Sequence, residues 1–299
     1  MVGMKGAALY ISLAVATLAV SWASIFIRLA DADPISTAFY RMLFAAALMA
    51  PFGIRGLVRN LKTLPSAHLW LLAASGILLG VHFASWITSL KYTTISNSVV
   101  IVATQPFFVA VMEWLFWKEK ISRLTAMGMA LAFVGMVIIS RSDFNLSGDR
   151  LMGDMLALIG AFCAGAYLMA GRKIRQKLPN RYYVFPVYLI AALTLLVIAV
   201  PFRSPLTGFP AKTWLCFFLL ALIPTMMGHS LYNYLLKFVR AHLVAVTILG
   251  EPIGATVFAA LIFGEYPPLA TYVGGGSILA GIILALLPAA KDKTVSETP

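Results

Sequence analysis

Charged residues are scarce in this chain of 299 residues. They make up 11% of it, against about a quarter in a typical soluble domain. Hydrophobic residues account for 61%, and a water-soluble fold has too little polar surface to cover so large an apolar fraction. The composition therefore excludes an ordinary soluble globular protein and indicates a chain that resides in a lipid bilayer.

Cysteine is also rare, and this excludes several classes of site. The two cysteines, Cys163 and Cys216, lie inside apolar runs, so neither a disulfide framework nor a C-x-x-C metal site is present. The sequence also lacks paired carboxylates, a nucleophile with a base at fixed spacing, and a phosphate-binding glycine loop. We therefore expect no metal, no cofactor and no enzymatic activity.

Acidic residues are outnumbered by basic ones, and the net charge is +12. The Lys and Arg residues lie in short loops between apolar runs and form no continuous basic face, so we expect no nucleic-acid partner. The expected partners are membrane lipids and a small-molecule substrate, and the chain is expected to act as a monomer.

Apolar runs, in contrast, are abundant. About 20 apolar residues cross a hydrocarbon core of about 30 Å, and ten segments have the required length and composition. The sequence thus predicts an all-α integral membrane protein with ten transmembrane helices, followed by a polar cytoplasmic tail at 291–299. The predicted spans are 6–29, 35–54, 67–90, 95–117, 122–140, 151–172, 182–201, 212–236, 242–263 and 268–287.

The basic residues predict how these spans are oriented. Of the 23 Lys and Arg residues, sixteen lie in the loops on the side of the two termini, six lie on the other side, and Arg41 lies within a span. Cytoplasmic loops carry the excess of positive charge. Both termini are therefore predicted to face the cytoplasm. The protein is predicted to reside in the cell (inner) membrane.

The chain contains an internal repeat. Residues 89–140 align without a gap to residues 235–286, with ten of 52 positions identical. Because five spans per copy is an odd number, the copies should cross the membrane in opposite directions, as five-helix repeats at 1–145 and 146–290 with the substrate site between them. The informative matches are Lys91 with Lys237, Pro106 with Pro252, Glu119 with Glu265, Gly128 with Gly274, and Gly135 with Gly281.

Two motifs in the repeats carry a family resemblance. Gln105-Pro106 leads to Trp117-Lys118-Glu119, and Glu251-Pro252 leads to Phe263-Gly264-Glu265. In these motifs the chain resembles the drug/metabolite transporter superfamily of the EamA type. Its length and aromatic residues resemble the bacterial amino-acid exporters of the YddG type. This resemblance implies export of small neutral metabolites, mostly aromatic and other neutral amino acids, by alternating access. A broad exporter of lipophilic cations or drugs is the alternative.

Two helix faces carry candidate substrate-binding residues. His82 and Trp86 are four residues apart and share a face, and His229, Tyr232 and Asn233 form a similar face in the second copy. A polar group that faces lipid is costly, so each face should point to a cavity or to another helix. The alternative to substrate binding is a hydrogen bond between helices.

Aromatic residues also occupy matching positions in the first helix of each copy. Trp22 corresponds to Tyr167, and rings at this depth can stack on the apolar part of a substrate. Helix packing is the alternative interpretation for both.

The two proline motifs lie in the middle of spans. Pro106 and Pro252 each remove a helix hydrogen bond and predict a kink that can act as a hinge. Gln105 and Glu251 precede them as candidate substrate-binding residues, and an intramembrane carboxylate is a functional candidate by default. In a cation exporter Glu251 would be the partner of the cation. A static kink is the alternative.

Three further charged residues lie near the ends of spans. Arg41 is seven residues into its span, where it either extends to the headgroups or binds a substrate carboxylate. Glu119 and Glu265 are expected to cap a helix or to form ion pairs. The glycines of the last helix in each copy predict close helix packing.

Overall fold

The structure is a computed structural model that describes residues 6–93, 98, 101–140, 148–264 and 269–291. Throughout these residues the secondary structure is helical, and no strand occurs in them. The predicted all-α class is therefore confirmed. The α-helices are α1 (Gly6–Val20), α2 (Ala23–Ala30), α3 (Pro34–Gly53), α4 (Leu57–Leu61), α5 (Ser66–Tyr92), α6 (Gln105–Trp117), α7 (Arg123–Ser140), α8 (Gly148–Arg175), α9 (Asn180–Phe202), α10 (Ala211–Leu220), α11 (Ser230–Leu235), α12 (Ala241–Ile248), α13 (Glu251–Phe263) and α14 (Leu269–Lys291).

Eight helical stretches of the described chain are long and apolar enough to cross a membrane. The predicted spans at 95–117 and 122–140 are not among these eight, so the predicted count of ten is not confirmed. The first is interrupted before α6 and begins partly outside the described residues, and the second has a shorter apolar helix. Glu265 and the tail beyond Lys291 also lie outside the described residues. The eight stretches are 7–30, 34–53, 66–92, 150–175, 180–202, 211–235, 241–263 and 269–287.

Helix breaks occur at the two proline motifs. Helical backbone is interrupted at Ala103 and Thr104 before α6, and at Leu249 and Gly250 before α13. Each proline then occupies the first turn of the new helix, where its missing N–H costs nothing. Both helices are thus interrupted where the sequence predicted proline kinks, and the hinge role of the two prolines stays a prediction.

Two other interruptions were not predicted. Turn residues Ser21 and Trp22 separate α1 from α2. Between α10 and α11 the chain forms a nine-residue π-helix, Ala221–His229, with Pro224 inside it. Such segments are rare and occur mostly at functional sites.

The last helices of the two copies, α7 and α14, pack backbone to backbone. A Cβ on Gly128 would lie 2.5 Å from the carbonyl oxygen of Gly281, and a Cβ on Gly135 would lie 2.5 Å from that of Gly274. Gly128 corresponds to Gly274 in the repeat, and Gly135 to Gly281. The two contacts are therefore equivalent, and the two helices run antiparallel. The predicted small-residue packing is confirmed here.

Contacts at the helix ends define two faces of the bundle. The Tyr10 hydroxyl near the start of α1 donates to the Leu286 carbonyl near the end of α14 over 3.5 Å, so both ends of the described chain lie on one face, which we call the terminal face. On the opposite face the Arg28 guanidinium lies 4.3 Å from the centre of the Phe263 ring.

Helices of the two copies also pack around the centre of the bundle. The third long helix of the first copy, α5, runs along the first helix of the second copy, α8. In the equivalent arrangement α1 packs on the π-helix, where Gly228 lies against Val20. These helices surround a central space.

Candidate substrate cavity

A cavity of about 520 Å³ lies at the centre of the bundle. Its walls come from helices of both copies, among them α2, α3, α5, α8, α13 and the π-helix. The lining extends from Glu251 at the start of α13 to Arg28, Phe263 and Thr271. The last three residues lie near helix ends on the face opposite the terminal face. The cavity thus extends toward that face.

Most of the predicted site residues line this cavity, although two do not. Trp22 stacks on Phe258 with ring centres 4.1 Å apart and on Phe26 at 5.4 Å, outside the cavity wall. Asn233 is fully buried and is likewise absent from the wall. For these two residues the geometry supports helix packing. The predicted residues in the wall are His82, Trp86, Gln105, Pro106, Tyr167, His229, Tyr232, Glu251 and Pro252.

Arg41 provides a buried cation in the cavity wall. The residue is only 1% exposed, so its side chain does not extend to the headgroups. Its Nε donates to the Thr225 hydroxyl over 2.8 Å, and its guanidinium lies 4.2 Å from the centre of the Phe83 ring. Its Nη1 has no hydrogen-bond partner among the residues that the structure describes. Of the two sequence-based interpretations of Arg41, only an inward-facing role fits this position.

Glu251 provides a carboxyl group from the second copy. The residue lines the same cavity as Arg41. Among the described residues no hydrogen bond reaches its carboxylate. One cavity therefore contains a cation from the first copy and an acceptor from the second, each with capacity to bind a ligand.

His82 and Trp86 form an aromatic pair, stacked with ring centres 6.0 Å apart and 6° between their planes. The Nδ1 of His82 lies 2.9 Å from the Gly160 carbonyl oxygen. Because a carbonyl only accepts, Nδ1 carries a proton. Within the described part of the chain, the buried indole N–H of Trp86 has no hydrogen-bond partner. His229, from the second copy, meets the Phe83 ring edge-on at 5.5 Å.

The two tyrosines in the wall use their hydroxyls to join helices. Asn233 donates a hydrogen bond to the Tyr167 hydroxyl. The Tyr232 hydroxyl lies 2.8 Å from that of Thr17, which is 3.1 Å from the Thr247 carbonyl beside the helix break. The tyrosine hydroxyls are thus already paired, and the rings are the parts available to a ligand.

A second cluster of charged residues lies at the terminal face. Glu113 is completely buried and accepts hydrogen bonds from Arg172 over 2.7 Å, from the Ala241 backbone N–H over 2.8 Å, and from the His242 ring. Arg172 also forms two hydrogen bonds with Glu119, at 2.7 and 2.9 Å. The predicted pairing of Glu119 is therefore confirmed.

Sequence reasoning missed Glu113, although the signal was available. It is a carboxylate within the apolar run 95–117, and the rule that selected Glu251 applies to it equally. Its position near a span end and the lack of a proline beside it made it less conspicuous.

An all-helical membrane protein with a central cavity between two repeats has the architecture of secondary transporters. The sequence profile of the EamA-like transporter family matches residues 5–141 and 151–287. The chain therefore belongs to the EamA-like transporter family, with one repeat in each half.

Relatives agree with this assignment. A protein of Archaeoglobus fulgidus named as an uncharacterized transporter is 29% identical over 277 residues, which cover 88% of this chain and 92% of the relative. The Bacillus subtilis uncharacterized transporter YdfC is 25% identical over 276 residues, with 89% and 87% coverage. A solved crystal structure with 16% identity superposes with a TM-score of 0.79 over 97% of this chain and 100% of its own. The last similarity shows a shared fold, and the relatives' names state transport without a substrate.

Proposed function

We propose that this protein exports small neutral metabolites, namely aromatic and other neutral amino acids, by alternating access. The observation that carries the proposal is the presence of Arg41 and Glu251 in the wall of one cavity. Their charges cancel, so a substrate with one positive and one negative group leaves no unpaired charge in the low-dielectric interior. A free amino acid is such a substrate.

The repeat architecture supports alternating access. We infer ten crossings, arranged as two five-helix repeats of opposite direction, because equivalent helices α7 and α14 pack antiparallel. A cavity bounded by both repeats allows access to alternate as one repeat rocks against the other. In the predicted orientation the protein lies in the inner membrane and both termini face the cytoplasm. The cavity then extends toward the outside of the cell, as in the release step of an exporter.

Aromatic side chains support apolar substrate groups. Trp86, Phe83 and Tyr232 line the cavity, and their rings can contact the side chain of an aromatic or other neutral amino acid. The remaining wall is largely aliphatic, as in most small-molecule sites.

A lipophilic cation or drug is the alternative substrate class. Glu251 and the aromatic rings would suit a cation, but the buried Arg41 guanidinium in the same wall would repel it. The geometry therefore favours zwitterions over cations.

Transport into proteoliposomes tests the choice. The purified protein should accelerate exchange of radiolabelled phenylalanine and leucine, and quaternary amines should neither be transported nor compete. Transport of quaternary amines without transport of amino acids would establish the cation exporter instead. Nucleosides are the control in this assay, because they are neutral solutes that lack a pair of opposite charges.

A further inference from the structure

We infer that Arg41 and the indole N–H of Trp86 form a subsite for the carboxylate of the substrate. The inference rests on the proposed function and deepens it. It assigns one end of the cavity to a carboxylate group and names the donors that bind it. Such a subsite restricts the substrates to compounds with a free acid group.

The Arg41 guanidinium is held in place from two sides. Thr225 accepts from Nε at 2.8 Å, and the Phe83 ring lies under the guanidinium at 4.2 Å. With Nε engaged and the side chain 1% exposed, the unpartnered Nη1 remains as a donor. A buried guanidinium fixed in this way is well suited to bind a carboxylate.

Trp86 supplies a second donor in the same cavity wall. It follows Phe83 by three residues on α5, so the two side chains lie on one face of that helix. Trp86 is 7% exposed and lines the cavity, and no described residue forms a hydrogen bond with its Nε1. Buried polar groups are nearly always hydrogen-bonded. Two unpaired buried N–H groups in one wall therefore point to an acceptor that occupies the cavity during transport.

The opposite charge of Glu251 orients the substrate. When a carboxylate binds Arg41 and Trp86, the ammonium group of an amino acid can interact with the Glu251 carboxylate. This carboxylate accepts no hydrogen bond from the described residues. The substrate side chain then contacts the aromatic and aliphatic wall. In this arrangement both donors and the acceptor obtain partners from a single ligand.

Ligand-induced stabilisation tests the subsite separately from transport. The probes are phenylalanine, phenylalaninamide, which lacks the acid, and 3-phenylpropionate, which lacks the amine. Phenylalanine and 3-phenylpropionate should both raise the melting temperature of the wild-type protein, and the amide should need a concentration about 10- to 100-fold higher for the same shift.

Two variants carry the test. Arg41→Gln should abolish the preference for the acid over the amide, and Trp86→Phe, which retains a ring, should reduce it. Trp86→Phe keeps the test usable where Arg41→Gln fails to fold. Equal stabilisation of the wild-type protein by acid and amide, or an unchanged preference in Trp86→Phe and in folded Arg41→Gln, would overturn the subsite. If both acids stabilise the protein but phenylalanine is not transported, the subsite stands and the proposed function fails.

The contacts of Glu113 support a second, independent proposal. We propose that Glu113 and Arg172 close the cavity at the terminal face. Glu113 lies near the end of α6, Arg172 lies near the end of α8, and the Ala241 N–H begins α12. One completely buried carboxylate thus joins three helices from both copies. The same three helices line the cavity further along, through Gln105, Tyr167 and Ile248 for example.

Access from the terminal face requires these helices to separate. Their separation breaks the Glu113 contacts and also the double hydrogen bond between Arg172 and Glu119. The cluster therefore stabilises the conformation whose cavity extends to the opposite face. Weakening it should shift the population toward a conformation open at the terminal face.

A single reporter cysteine tests this closure. In a protein with Cys163→Ala and Cys216→Ala, the reporter is Leu168→Cys, which lies in the cavity wall one turn from Arg172. Inside-out vesicles are treated with a membrane-impermeant maleimide. The reporter should be protected with Arg172 present and labelled several-fold faster with Arg172→Gln.

Lys173→Gln is the matched control, because it also removes one basic residue from the same helix end and Lys173 is exposed. It should label like the parent protein. Labelling from the opposite face in right-side-out vesicles should fall with Arg172→Gln, whereas unfolding would raise it from both sides. Unchanged labelling in Arg172→Gln would overturn the proposed closure.

Discussion

The Nε of Arg41 donates a hydrogen bond to the Thr225 hydroxyl over 2.8 Å, and that hydroxyl donates in turn to the Leu220 carbonyl over 2.9 Å. Arg41 lies on α3 of the first copy, whereas Thr225 lies in the π-helix of the second. The contact thus joins the two copies beside the cavity. Because Thr225 has both hydrogen-bonding roles filled, it fixes the position of the guanidinium.

Thr225→Val should therefore weaken transport by about tenfold, since a hydrogen bond to a charged group contributes roughly 1.5–3 kcal/mol. Thr225→Ser retains the hydroxyl and should transport at nearly the wild-type rate. Initial rates of amino-acid exchange in proteoliposomes provide the measurement. Equal rates for the Val and Ser variants would show that this contact has no part in transport.

Gly281→Ala should destabilise the protein. A Cβ there would lie 2.5 Å from the Gly128 carbonyl oxygen and from the Ala132 backbone nitrogen, and overpacking of this kind costs about 1–3 kcal/mol. Gly276→Ala, on the same helix with no atom within 4 Å of the new methyl group, is the control. Thermal unfolding in detergent should separate the two variants, and a matched melting temperature would argue against close packing of α7 and α14.

Trp86→Ala should reduce substrate binding while leaving membrane insertion intact. Aromatic contacts contribute roughly 0.5–1.5 kcal/mol each, so the apparent affinity should fall several-fold. Trp70→Ala removes a tryptophan from the same helix at a position that is 78% exposed, and it should have no effect on affinity. Concentration-dependent exchange of phenylalanine measures both. Should both variants behave like the wild-type protein, Trp86 serves packing alone.

Asp33→Ala should lower stability by about 1 kcal/mol, because Asp33 accepts hydrogen bonds from the backbone N–H groups of Ile35 and Ser36 at the start of α3. Burial favours the neutral acid. Hydrogen bonds from Ser204 and Ser36, together with the Lys91 charge, outweigh it and lower the pKa of Asp33.

A lowered pKa in the folded state sets the direction of the pH dependence of this stability. The stabilisation is complete above the unfolded value of about 3.9 and is lost as the pH falls through the lower folded value. The difference between wild type and Asp33→Ala should thus be constant from neutral pH to about pH 5 and shrink below about pH 4. Asp33→Asn keeps a capping oxygen and should show a smaller loss at neutral pH. A difference that grows on acidification would contradict this assignment.

Cysteine labelling tests the predicted orientation. Both natural cysteines are buried, so a new exposed cysteine reports on its own position. Lys212→Cys, on the face opposite the termini, should react with an impermeant maleimide added outside the cell, and Arg59→Cys should not. Reaction of Arg59→Cys but not of Lys212→Cys would show that the orientation is the reverse of the predicted one, with the cavity extending toward the cytoplasm.

Local chemistry was sufficient to predict much of the architecture. Composition indicated the membrane, Pro106 and Pro252 indicated the two helix breaks, and the repeated glycines indicated close packing of the last helices. These features depend on residue type and near neighbours in the chain, so they can be recognised without knowing which helices meet. The break at Trp22 has no comparably specific local pattern. Pro224, in contrast, is a proline inside a predicted span, so the signal for an irregular helix was present there and was overlooked.

The cavity wall, in contrast, depends on contacts between helices far apart in sequence. Trp22 and Trp86 were both candidates, but Trp22, at the α1–α2 break, stacks on Phe258, whereas Trp86 lines the cavity. Arg41 was ambiguous because its distance from the span end permits a side chain that extends to the headgroups. Only the partners brought to it by other helices, Thr225 and Phe83, keep it in the protein interior, and hydropathy along a single chain contains no information about them.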